Sequence, residues 1–585
     1  MEKDYSKLSK EELLKVVEKL ESRKKYGLIW DEERTKEQFE KESENALPVL
    51  KEVKAKAINN DPSKPVNILI EGDNYHALSV LNYTHQGKID VIYIDPPYNT
   101  GNKDFKYNDQ WVNKDDVYRH SKWLSFMIKR LRLAKGLLKD DGAIFVSIDN
   151  IEFAQLKLLC DSIFGEDNFV GCIVWKKKTG SGTKIAQMFD EHEYVLAYAK
   201  NIHLTRTWRM IDEAHGSFKN PDSDPRGSWE SCAITAPSKN RNPNQLYCIE
   251  VHSKKPHSLI KKQKNLKGKI IGVFDYLEHT VVFWSGDNLT NGTVVDDKNK
   301  CIRFIRRWAY VPKTMETIFK DKRVYLNGKN IPRYKKFESE YVGKAIPSIY
   351  FSEFSTQEGS NDLKEILPDT PFDYPKPKKM IKHLIQCVSH EKAVILDFFA
   401  GTGTTGQAIL ELSKDKNDKR SFILCTNDEG GICSEVCYPR IKIVISGYKN
   451  QNNILVNGTS GNLKYFKTSF VKRTISKDSL KVRITRECTE MLCLREGVFD
   501  EVKKTDDYRI FQHNDRIMGV YYSLERAELQ SLKKDLDKMK GKKILYCFTL
   551  DPLGLDKKDF RDWKGVSLEP IPQKILDIYE GIYEY

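Results

Sequence analysis

The chain has 585 residues, of which 31% are charged and 39% hydrophobic, and 97 Lys+Arg against 83 Asp+Glu give a net charge of +14. This length is too great for one core and predicts about three or four domains, while the composition excludes a disordered chain. No run of about 18 apolar residues and no apolar leader is present, so we expect a cytoplasmic protein that does not contact a membrane. The excess of cations fits a polyanionic partner such as DNA or RNA.

The 12 cysteines are scattered along the chain. Two close pairs, Cys433/Cys437 and Cys488/Cys493, lack the two-residue spacing of a zinc site, and no second pair matches them. We therefore expect reduced, mostly buried thiols and no metal site.

The amino-terminal part of the chain, residues 1–45, is polar and has apolar side chains at helical spacing, at Leu13, Leu14, Val17 and Leu20. This pattern predicts an N-terminal helical arm. A second charged stretch with a helical pattern continues through Leu47, Val49 and Leu50. It is expected to end at Asn60-Asp61-Pro62, because proline cannot continue a helix.

After Pro62 the pattern changes to short apolar runs separated by helical stretches. Such runs are typical of parallel strands buried on both faces of a sheet. A long amphipathic helix from Trp123 to Leu138, ended by Asp140-Asp141-Gly142, separates the second run from the third. The alternation predicts mainly parallel strands with right-handed crossovers. The runs are Asn67 to Ile70, Val91 to Ile94, Ala143 to Ile148, Cys172 to Trp175 and Tyr194 to Ala199.

The alternation stops near Asn201, where a stretch rich in Asn, Pro, Ser, Lys and aromatic residues begins. Its short β-like pieces, such as Ile270 to Phe274 and Thr280 to Trp284, predict an inserted domain. The buried-strand pattern then resumes at Ala393 to Phe399 and Ser421 to Thr426, which brings the number of predicted strands to seven. A helix is predicted between these two strands, at Thr404 to Leu412.

Residues 451–585 have an α+β pattern that predicts a separate C-terminal domain. The predicted elements are a strand over Arg516 to Tyr522, a charged helix over Leu524 to Lys540 and a strand over Lys543 to Leu550.

The loop Asp95-Pro96-Pro97-Tyr98 directly follows the predicted buried strand Val91 to Ile94. A carboxylate, two prolines that stiffen the backbone and an aromatic ring together form a polar clamp with one flat wall. Such a clamp suits a planar heterocycle that bears an amino group. For this tetrapeptide alone, an ordinary proline-rich turn remains the alternative.

A second loop, Asp397-Phe398-Phe399-Ala400-Gly401-Thr402-Gly403-Thr404-Thr405, joins a predicted strand to a predicted helix. Its glycines allow a tight turn and the close approach of a ligand to the helix N-terminus. The loop lacks the Gly-Lys-Ser/Thr of a Walker loop and the full dinucleotide fingerprint, which disfavours ATP hydrolysis and NAD binding. Taken alone, it could equally be a structural turn.

Together, the two loops resemble those of the S-adenosylmethionine-dependent DNA amino-methyltransferases. The Asp-Pro-Pro-Tyr loop comes first, the irregular insert second and the glycine loop third, which is the order of the circularly permuted β class. The resemblance implies an α/β fold, with a Rossmann-like seven-stranded methyltransferase sheet, an inserted target-recognition domain and an α+β C-terminal domain. The implied domains are residues 1–45 (helical arm), 46–204 (catalytic half), 205–345 (target recognition), 346–450 (cofactor half) and 451–585 (assembly, DNA or partner contact).

Further segments resemble the modification (Mod) subunits of type III restriction-modification systems: Glu71-Gly72-Asp73-Asn74, Ile94 to Asp109, Phe372 to Pro377 and Thr426 to Glu429. The resemblance implies a site-specific enzyme that methylates the exocyclic amino group (N6) of adenine in double-stranded DNA. It also implies a homodimer and a helicase-nuclease (Res-like) partner subunit. No recognisable motif lies beyond residue 450.

This resemblance also implies a role for each loop residue, with S-adenosylmethionine lying across the carboxyl ends of the strands. Asp397 is expected near its ammonium group, and backbone groups at Phe399, Gly401 and Gly403 are expected to cradle its methionine part. Asn427, with Asp428 and Glu429 as alternatives, is expected to bind the ribose hydroxyls. Asp73 is expected to bind the adenine of the cofactor. The full set of expected cofactor-binding residues is Asp73, Lys376, Asp397, Phe398, Phe399, Gly401, Thr402, Gly403, Thr404, Thr405 and Asn427.

The expected catalytic residues are Asp95, Pro96, Pro97 and Tyr98. Hydrogen bonds from the amino group to the Asp95 carboxylate and the Pro96 carbonyl localise the nitrogen lone pair, while Tyr98 stacks on a base flipped out of the duplex. No metal or covalent intermediate is required. The aspartate of this loop favours adenine over cytosine, whose methyltransferases more often have serine there.

Contacts to DNA are expected from basic segments: Lys176-Lys177-Lys178 with Thr179 to Gly182, Ser238 to Asn242, and Arg303, Arg306 and Arg307. A solvated run of charges is the alternative for each. Three other functions stay open: a DNA-recognition scaffold for a helicase-nuclease, a methyltransferase acting on the cytosine amino group, and an RNA methyltransferase.

Overall fold

The structure is a computed structural model. Internal contacts divide the chain into two compact units, residues 1–210 with 345–585 and residues 211–344. The predicted N-terminal arm lies almost entirely outside the described residues. The structure describes residues 9–10, 28, 30–31, 35, 37, 46–102, 104–108, 110–177, 190–205, 208–210, 219, 222–235, 245–253, 269–276, 279–285, 292–296, 301–327, 332–337, 344–351, 353–370, 372, 375–414, 417–473, 476–551 and 554–583.

The first unit is built on an eleven-stranded sheet, whose strands we number in chain order. Strands β3 to β7, β9 and β10 coincide with the seven predicted strands. The eleven strands are β1 (Ala46–Glu52), β2 (Ile58–Asn59), β3 (Val66–Glu71), β4 (Ile89–Ile94), β5 (Leu138–Ile148), β6 (Phe169–Lys176), β7 (His192–Ala199), β8 (Ile349–Tyr350), β9 (Val394–Asp397), β10 (Ser421–Thr426) and β11 (Asn462–Lys472).

The strands are ordered β1-β11-β3-β10-β9-β4-β5-β7-β6-β8 across the sheet, and β2 pairs with β11. From β3 to β5 along this order all neighbours are parallel, whereas β7 runs antiparallel to both β5 and β6. The expected Rossmann-like α/β sheet is therefore confirmed, but it has eleven strands instead of seven, because β1, β2 and β11 extend it beyond β3 and β8 extends it beyond β6. Its central pair, β9 and β4, joins strands that are far apart in the sequence, as a permuted chain order requires.

Helices cover both faces of this sheet, so its central strands are apolar on both sides. In β4, Ile92 and Ile94 belong to one hydrophobic core and Val91 and Tyr93 to the other. The helices are α1 (Asn74–Thr84), α2 (Arg119–Leu137) and α3 (Phe153–Phe164) in the first core and α4 (Thr356–Ile366), α5 (Lys378–Val388), α6 (Thr404–Leu412) and α7 (Tyr438–Ser446) in the second.

Two local predictions were wrong. The stretch through Leu47, Val49 and Leu50 is strand β1 instead of a helix, because it pairs antiparallel with β11 and buries these side chains. The long helix α2 ends at Leu137, and β5 already begins at Leu138, so the predicted boundary at Asp140-Asp141-Gly142 lies inside a strand. In both cases pairing with distant strands outweighs the local pattern.

The predicted boundary at residue 451 also needs correction, because β11 beyond it is a strand of the main sheet, parallel to β3. The residues after β11 form a second, five-stranded sheet of the same unit. Its strands are Asp500–Lys504, Tyr508–His513, Arg516–Tyr521, Lys542–Phe548 and Val566–Ile571, with helices Lys477–Glu487, Thr489–Glu496, Leu529–Asp537 and Gln573–Tyr583.

The second unit is mainly antiparallel β. Helix Pro312–Lys320 packs its buried Met315 and Phe319 against the larger of its two sheets. That sheet has the order Lys269–Tyr276, His279–Ser285, Leu246–Ser253, Cys301–Arg307, Gly292–Asp296, and the smaller one the order Trp229–Ala233, Pro332–Phe337, Val324–Leu326.

The first unit also contains short hairpins, at Lys106–Tyr107 with Gln110–Trp111 and at Gly447–Lys449 with Leu455–Asn457. Among the described residues of the whole chain, no helix has the length and apolar character needed to cross a bilayer.

Candidate active site

The carboxyl ends of four adjacent parallel strands, β3, β10, β9 and β4, lie at one edge of the main sheet. Asp73 follows β3, Asn427 follows β10, Asp397 ends β9 and Asp95 follows β4. Neighbouring strands are about 5 Å apart, so the fold gathers these distant residues at one edge. The amino end of the antiparallel strand β7 lies at the same edge, because Tyr194 pairs with Ile148 at the end of β5.

Side chains from α2 and from the residue before α3 fix the Asp-Pro-Pro-Tyr loop. The indole Nε1 of Trp123 donates to the carbonyl of Pro97 at 2.7 Å. Asn99 has a φ of +59° and is fully buried. Its side-chain nitrogen Nδ2 donates to Oε1 of the buried Glu152 at 2.5 Å. Asparagine adopts this left-handed conformation more readily than most residues. The loop is therefore held rigidly on the side facing the protein core.

Among the described residues, the carboxylate of Asp95 has two partners. Its Oδ1 lies 2.9 Å from the hydroxyl of Tyr98 and 2.9 Å from Nζ of Lys376. The same hydroxyl and the same ammonium also face Glu193 on β7, whose Oε2 lies 3.1 Å from the Tyr98 oxygen and 3.4 Å from the Lys376 nitrogen. Asp95, Tyr98, Glu193 and Lys376 thus form one charged group, the catalytic-loop quartet.

Lys376 was predicted to bind the cofactor, and the structure shows that its ammonium lies in this quartet. The ammonium also lies 4.8 Å from the centre of the Tyr98 ring. Burial alone disfavours the charged lysine, but Asp95 and Glu193 outweigh it and raise the pKa of Lys376 above its usual range. The pKa of Tyr98 is raised by burial and by the same two carboxylates. The quartet therefore holds a permanent ammonium and a neutral phenol.

The glycine loop provides the other half of the site. Gly401 and Gly403 have φ values of +49° and +80°. A Cβ at Gly403 would lie 2.9 Å from Sγ of Cys437, whereas one at Gly401 would have no neighbour nearer than 3.9 Å. The Gly403 amide donates to Ala400 and the Phe399 amide to Asp397, so these two NH groups are already used within the loop. Of these two glycines, Gly401 therefore has the more space beside its backbone for a ligand.

Asp397 lies beneath this loop and is only 3% exposed. Its two oxygens accept from the amide of Phe399 at 3.0 Å and from the hydroxyl of Thr405 at 2.5 Å. Among the described residues no cation forms an ion pair with it, and burial raises its pKa to about 7. A buried carboxylate without a countercharge is costly, so this position suits a ligand that brings a positive charge.

The threonines of the loop are bound to the protein. Arg440 of α7, fully buried, donates from one guanidinium nitrogen to the hydroxyl of Thr402 at 3.1 Å and to that of Thr404 at 2.9 Å. Burial lowers its pKa to about 10. Because these hydroxyls and that of Thr405 have protein partners, their observed contacts support the loop structurally.

Arg130 of α2 connects the ends of β3 and β9. Its guanidinium donates to both oxygens of Glu37 at 3.0 Å, pairs with Asp73 at 3.3 Å, and also donates to the side chain of Asn74. Asn74 in turn donates to the carbonyl of Phe398 at 3.0 Å. Asp73 also caps α1 by accepting from the amide of Tyr75. The Phe398 ring is buried in the first core, so its contribution to the edge is its backbone.

The three residues predicted as alternatives for the ribose differ in the structure. Asp428 accepts from the amides of Cys433 and Ser434 at 3.1 and 2.8 Å and so caps the following helical turn. Glu429 pairs with Lys106 at 3.1 Å. Asn427 is exposed, and its side chain accepts only a 3.4 Å contact from the amide of Glu429 among the described residues. Asn427 is the most available of the three.

The expected DNA contacts are only partly described. Lys176 pairs with Glu191 at 3.2 Å and Lys177 with Asp190 at 3.2 Å, so these two charges are partly balanced by their own hairpin. Lys178 with Thr179 to Gly182, and Ser238 to Asn242, lie outside the described residues. Arg306 and Arg307 are on a strand of the second unit, and their contact with DNA stays a prediction.

The second unit contains a separate buried cluster of Glu250, His252 and Cys301, whose ligand atoms lie within 4.8 Å of one another. His252 lies 2.6 Å from one Glu250 oxygen, and Nε of Arg303 lies 3.4 Å from the other. The guanidinium already provides positive charge beside the glutamate. We therefore interpret the cluster as a buried ion-pair network within the sheet. Arg303, which was predicted to contact DNA, belongs to this network.

Sequence patterns missed three residues that build the site: Glu193, Arg130 and Arg440. Glu193 lies directly before the predicted strand Tyr194 to Ala199, and the structure extends this strand to His192, so that Glu193 is its second residue. Asp149, directly after β5, is a further buried carboxyl at this edge, and burial raises its pKa to about 6.

Comparison with known proteins gives consistent matches. A family profile described as DNA methylase matches residues 89–435. The chain is 31% identical over 389 residues to the type III restriction-modification enzyme StyLTI Mod subunit of Salmonella typhimurium, covering 62% of this chain and 52% of the relative. It is 30% identical over 403 residues to the EcoPI Mod subunit of Escherichia phage P1, covering 62% and 58%. The chain thus spans little more than half the length of these relatives.

A third relative is the type II methyltransferase M.KpnI of Klebsiella pneumoniae, which is 29% identical over 409 residues, with 68% of this chain and 88% of the relative covered. Among solved structures, the M1.HpyAVI–SAM complex matches with 13% identity and a TM-score of 0.26, over 64% of this chain and 98% of that one. The PvuII cytosine-N4-specific DNA methyltransferase matches with 11% identity and a TM-score of 0.27, over 66% and 94%.

The profile match begins at β4, includes the Asp-Pro-Pro-Tyr loop and the insert, and ends beyond the glycine loop and β10. It covers more than half of the chain and both halves of the site described above. The chain therefore belongs to the DNA methylase family.

Proposed function

We propose that this chain is a site-specific DNA methyltransferase that transfers the methyl group of S-adenosylmethionine to the N6 amino group of adenine. The observation that carries the proposal is the pair of aspartates at the ends of adjacent strands β9 and β4. One is buried and has no countercharge in the part of the chain that the structure describes, and the other is partly exposed in a proline-containing loop beside an aromatic ring. The first suits a cationic cofactor and the second an amino group.

The residues around the glycine loop fit the cofactor. Asp397 supplies the negative charge for its ammonium group, and the open backbone at Gly401 allows close approach. We assign Asn427 to the ribose hydroxyls, because Asp428 and Glu429 have other partners. When bound, S-adenosylmethionine supplies an electrophilic methyl group on a sulfonium.

The Asp-Pro-Pro-Tyr loop prepares the amino group for reaction. Asp95 accepts one N–H of the amine and the Pro96 carbonyl accepts the other, which localises the nitrogen lone pair. Among the described residues, no backbone amide donates to the Pro96 carbonyl. The amine loses one proton as the product forms, and the Asp95 carboxylate, which accepts that N–H, is the base positioned to receive it. Tyr98 provides the ring against which the flipped base stacks.

We further propose that the chain is the modification subunit of a type III-like restriction-modification system, binds double-stranded DNA and acts with a helicase-nuclease subunit. Similarity to the Mod subunits over 62% of the chain supports this assignment. The alternative, a methyltransferase that works alone, is supported by the 88% coverage of M.KpnI. Co-purification with a large ATPase favours the first, and full methylation by the isolated chain without such a partner favours the second.

The test is to incubate the purified chain with isotope-labelled S-adenosylmethionine and DNA of mixed sequence and to analyse the digested nucleosides. We expect labelled N6-methyladenine, absent with the Asp95→Ala variant, and modified-base sequencing should then locate the recognition site. Labelled N4-methylcytosine alone would overturn the choice of base. Preferential labelling of competing RNA would overturn the choice of DNA, and no label in either would refute the activity.

A further inference from the structure

Glu193 and Lys376 are the two members of the catalytic-loop quartet that have no part in the proposed reaction, and Glu193 is the carboxylate of the two. It is the second residue of β7, and its side chain is only 9% exposed. Tyr98 and Lys376 of the quartet approach one of its oxygens, and Nζ of Lys177, which is not part of the quartet, lies 3.7 Å from the other. A carboxylate buried this deeply requires a specific reason, because burying a charge is costly.

The partners of Glu193 are shared with Asp95. The Tyr98 hydroxyl has one proton and lies within hydrogen-bond distance of both carboxylates, so it can donate to only one of them at a time. The Lys376 ammonium is 2.9 Å from Asp95 and 3.4 Å from Glu193. In this structure the ammonium is closer to Asp95, and the hydroxyl is also nearer that carboxylate.

This arrangement conflicts with the proposed role of Asp95, which is to accept an N–H from the amino group of the substrate. To accept an N–H from an incoming amine strongly, a carboxylate needs its negative charge undivided. The ammonium of Lys376, 2.9 Å away, already interacts with this charge. Lys376 is itself only 10% exposed, so water is poorly placed to replace Asp95 as its partner. A second protein carboxylate is therefore needed if the ammonium is to release Asp95.

We propose that Glu193 is a positioning residue that takes over Lys376 and the Tyr98 hydroxyl when the amino group of the substrate engages Asp95. This role rests on the proposed function. The required movement is small, because both donors already lie within 3.4 Å of Glu193. The shift exchanges one carboxylate for another as the partner of Lys376, so it separates no new pair of opposite charges within the protein.

The test compares steady-state kinetics of Glu193→Gln with those of the wild-type chain on a methylatable DNA. The glutamine has the same shape but no charge, so the ammonium stays on Asp95. We expect kcat to fall about 10- to 100-fold, the range set by one hydrogen bond to a charged group, with KM for S-adenosylmethionine nearly unchanged. The matched control is Glu191→Gln, a half-exposed neighbour paired with Lys176, which should keep wild-type kcat.

A double-mutant cycle separates positioning from a purely structural role. If Glu193 acts by holding Lys376, then Glu193→Gln should lower kcat much less in a Lys376→Met background than in the wild-type background. Losses that simply multiply would overturn the proposal. Glu193→Asp, which retains the charge, should keep more activity than Glu193→Gln, and if the glutamine variant is poorly folded, Glu193→Asp is compared with the wild-type chain instead.

Failure of this role can be told apart from failure of the proposed function. A wild-type chain that methylates DNA together with a Glu193→Gln variant of unchanged kcat would refute the role of Glu193 alone. A wild-type chain that methylates no nucleic acid would refute the proposed function and this role with it.

Discussion

Asp95 and Asp397 lie at the ends of neighbouring parallel strands, yet their surroundings are built in opposite ways. Asp397 is 3% exposed, accepts only from groups of its own loop, and has no countercharge among the described residues. The Asp95 side chain is 28% exposed and pairs with Lys376, which lies far away in the sequence. A local loop thus builds the proposed site for a cation, whereas tertiary contacts build the proposed site for an amine.

The strongest test of this difference is to remove the charge of Asp95, because we expect this change to have the largest effect on activity. Asp95→Asn keeps the shape of the side chain but loses the charge that draws on the amino hydrogen. We expect kcat to fall by about 10³-fold, comparable to losing a preorganised transition-state contact. The dissociation constant for S-adenosylmethionine, measured by calorimetry, should stay close to the wild-type value. A variant that loses cofactor binding instead would show that the two aspartates share one role.

Asp397→Asn tests the other side of the comparison. Because the variant loses the charge proposed to pair with the cofactor's ammonium group, we expect the dissociation constant for S-adenosylmethionine to rise about 10- to 100-fold. At saturating cofactor, kcat should change much less than in Asp95→Asn. The measurement is calorimetric binding together with kinetics at high cofactor concentration. Unchanged binding would contradict the assignment of Asp397.

The raised pKa of Asp397 predicts how cofactor binding depends on pH. Burial raises the folded-state pKa to about 7, so below this pH the carboxyl is mainly neutral and attracts an ammonium weakly. We therefore expect affinity to rise about tenfold between pH 5.5 and 7.0 as the group ionises. Asp397→Asn should lack this rise. This control distinguishes titration of Asp397 from titration of the cofactor itself.

The same raised pKa makes the stability of the folded chain fall as the pH rises, whereas the affinity for the cofactor increases. Because the folded pKa lies above the unfolded value of 3.8, the stability associated with the neutral carboxyl is fully present below about pH 4. It is lost as the pH rises through 7. Bound cofactor supplies the missing cation, so its stabilising effect on the melting temperature should be larger at pH 7 than at pH 5.5.

The same contrast explains which parts of the molecule could be predicted from the sequence. The glycine loop, α6 and the strand ends follow from local patterns, and the structure has them where they were predicted. Strand β1 was mistaken for a helix because its partner β11 is hundreds of residues away. Glu193 was missed for the same reason, since only the folding of β7 places it beside Tyr98 and Lys376, the contacts on which its proposed role rests.

The smallest effect is expected for the backbone of the glycine loop. At Gly403 an alanine is strained twice, by a φ of +80° and by a Cβ placed 2.9 Å from Sγ of Cys437. Gly565 is a matched control, because its φ is +79° but nothing lies within 4 Å of a Cβ there. The left-handed conformation alone costs about 1–2 kcal/mol, so both variants should melt below the wild type.

The difference between these two variants measures the packing of the loop against α7 and the turn before it. If the loop is preformed to receive the cofactor, Gly403→Ala should lower the melting temperature more than Gly565→Ala and should also weaken S-adenosylmethionine binding, which the control leaves intact. Equal melting temperatures and equal binding would show that Cys437 yields easily. The cation site would then be less rigid than its local hydrogen bonds indicate, and the contrast with the Asp95 site would rest on charge alone.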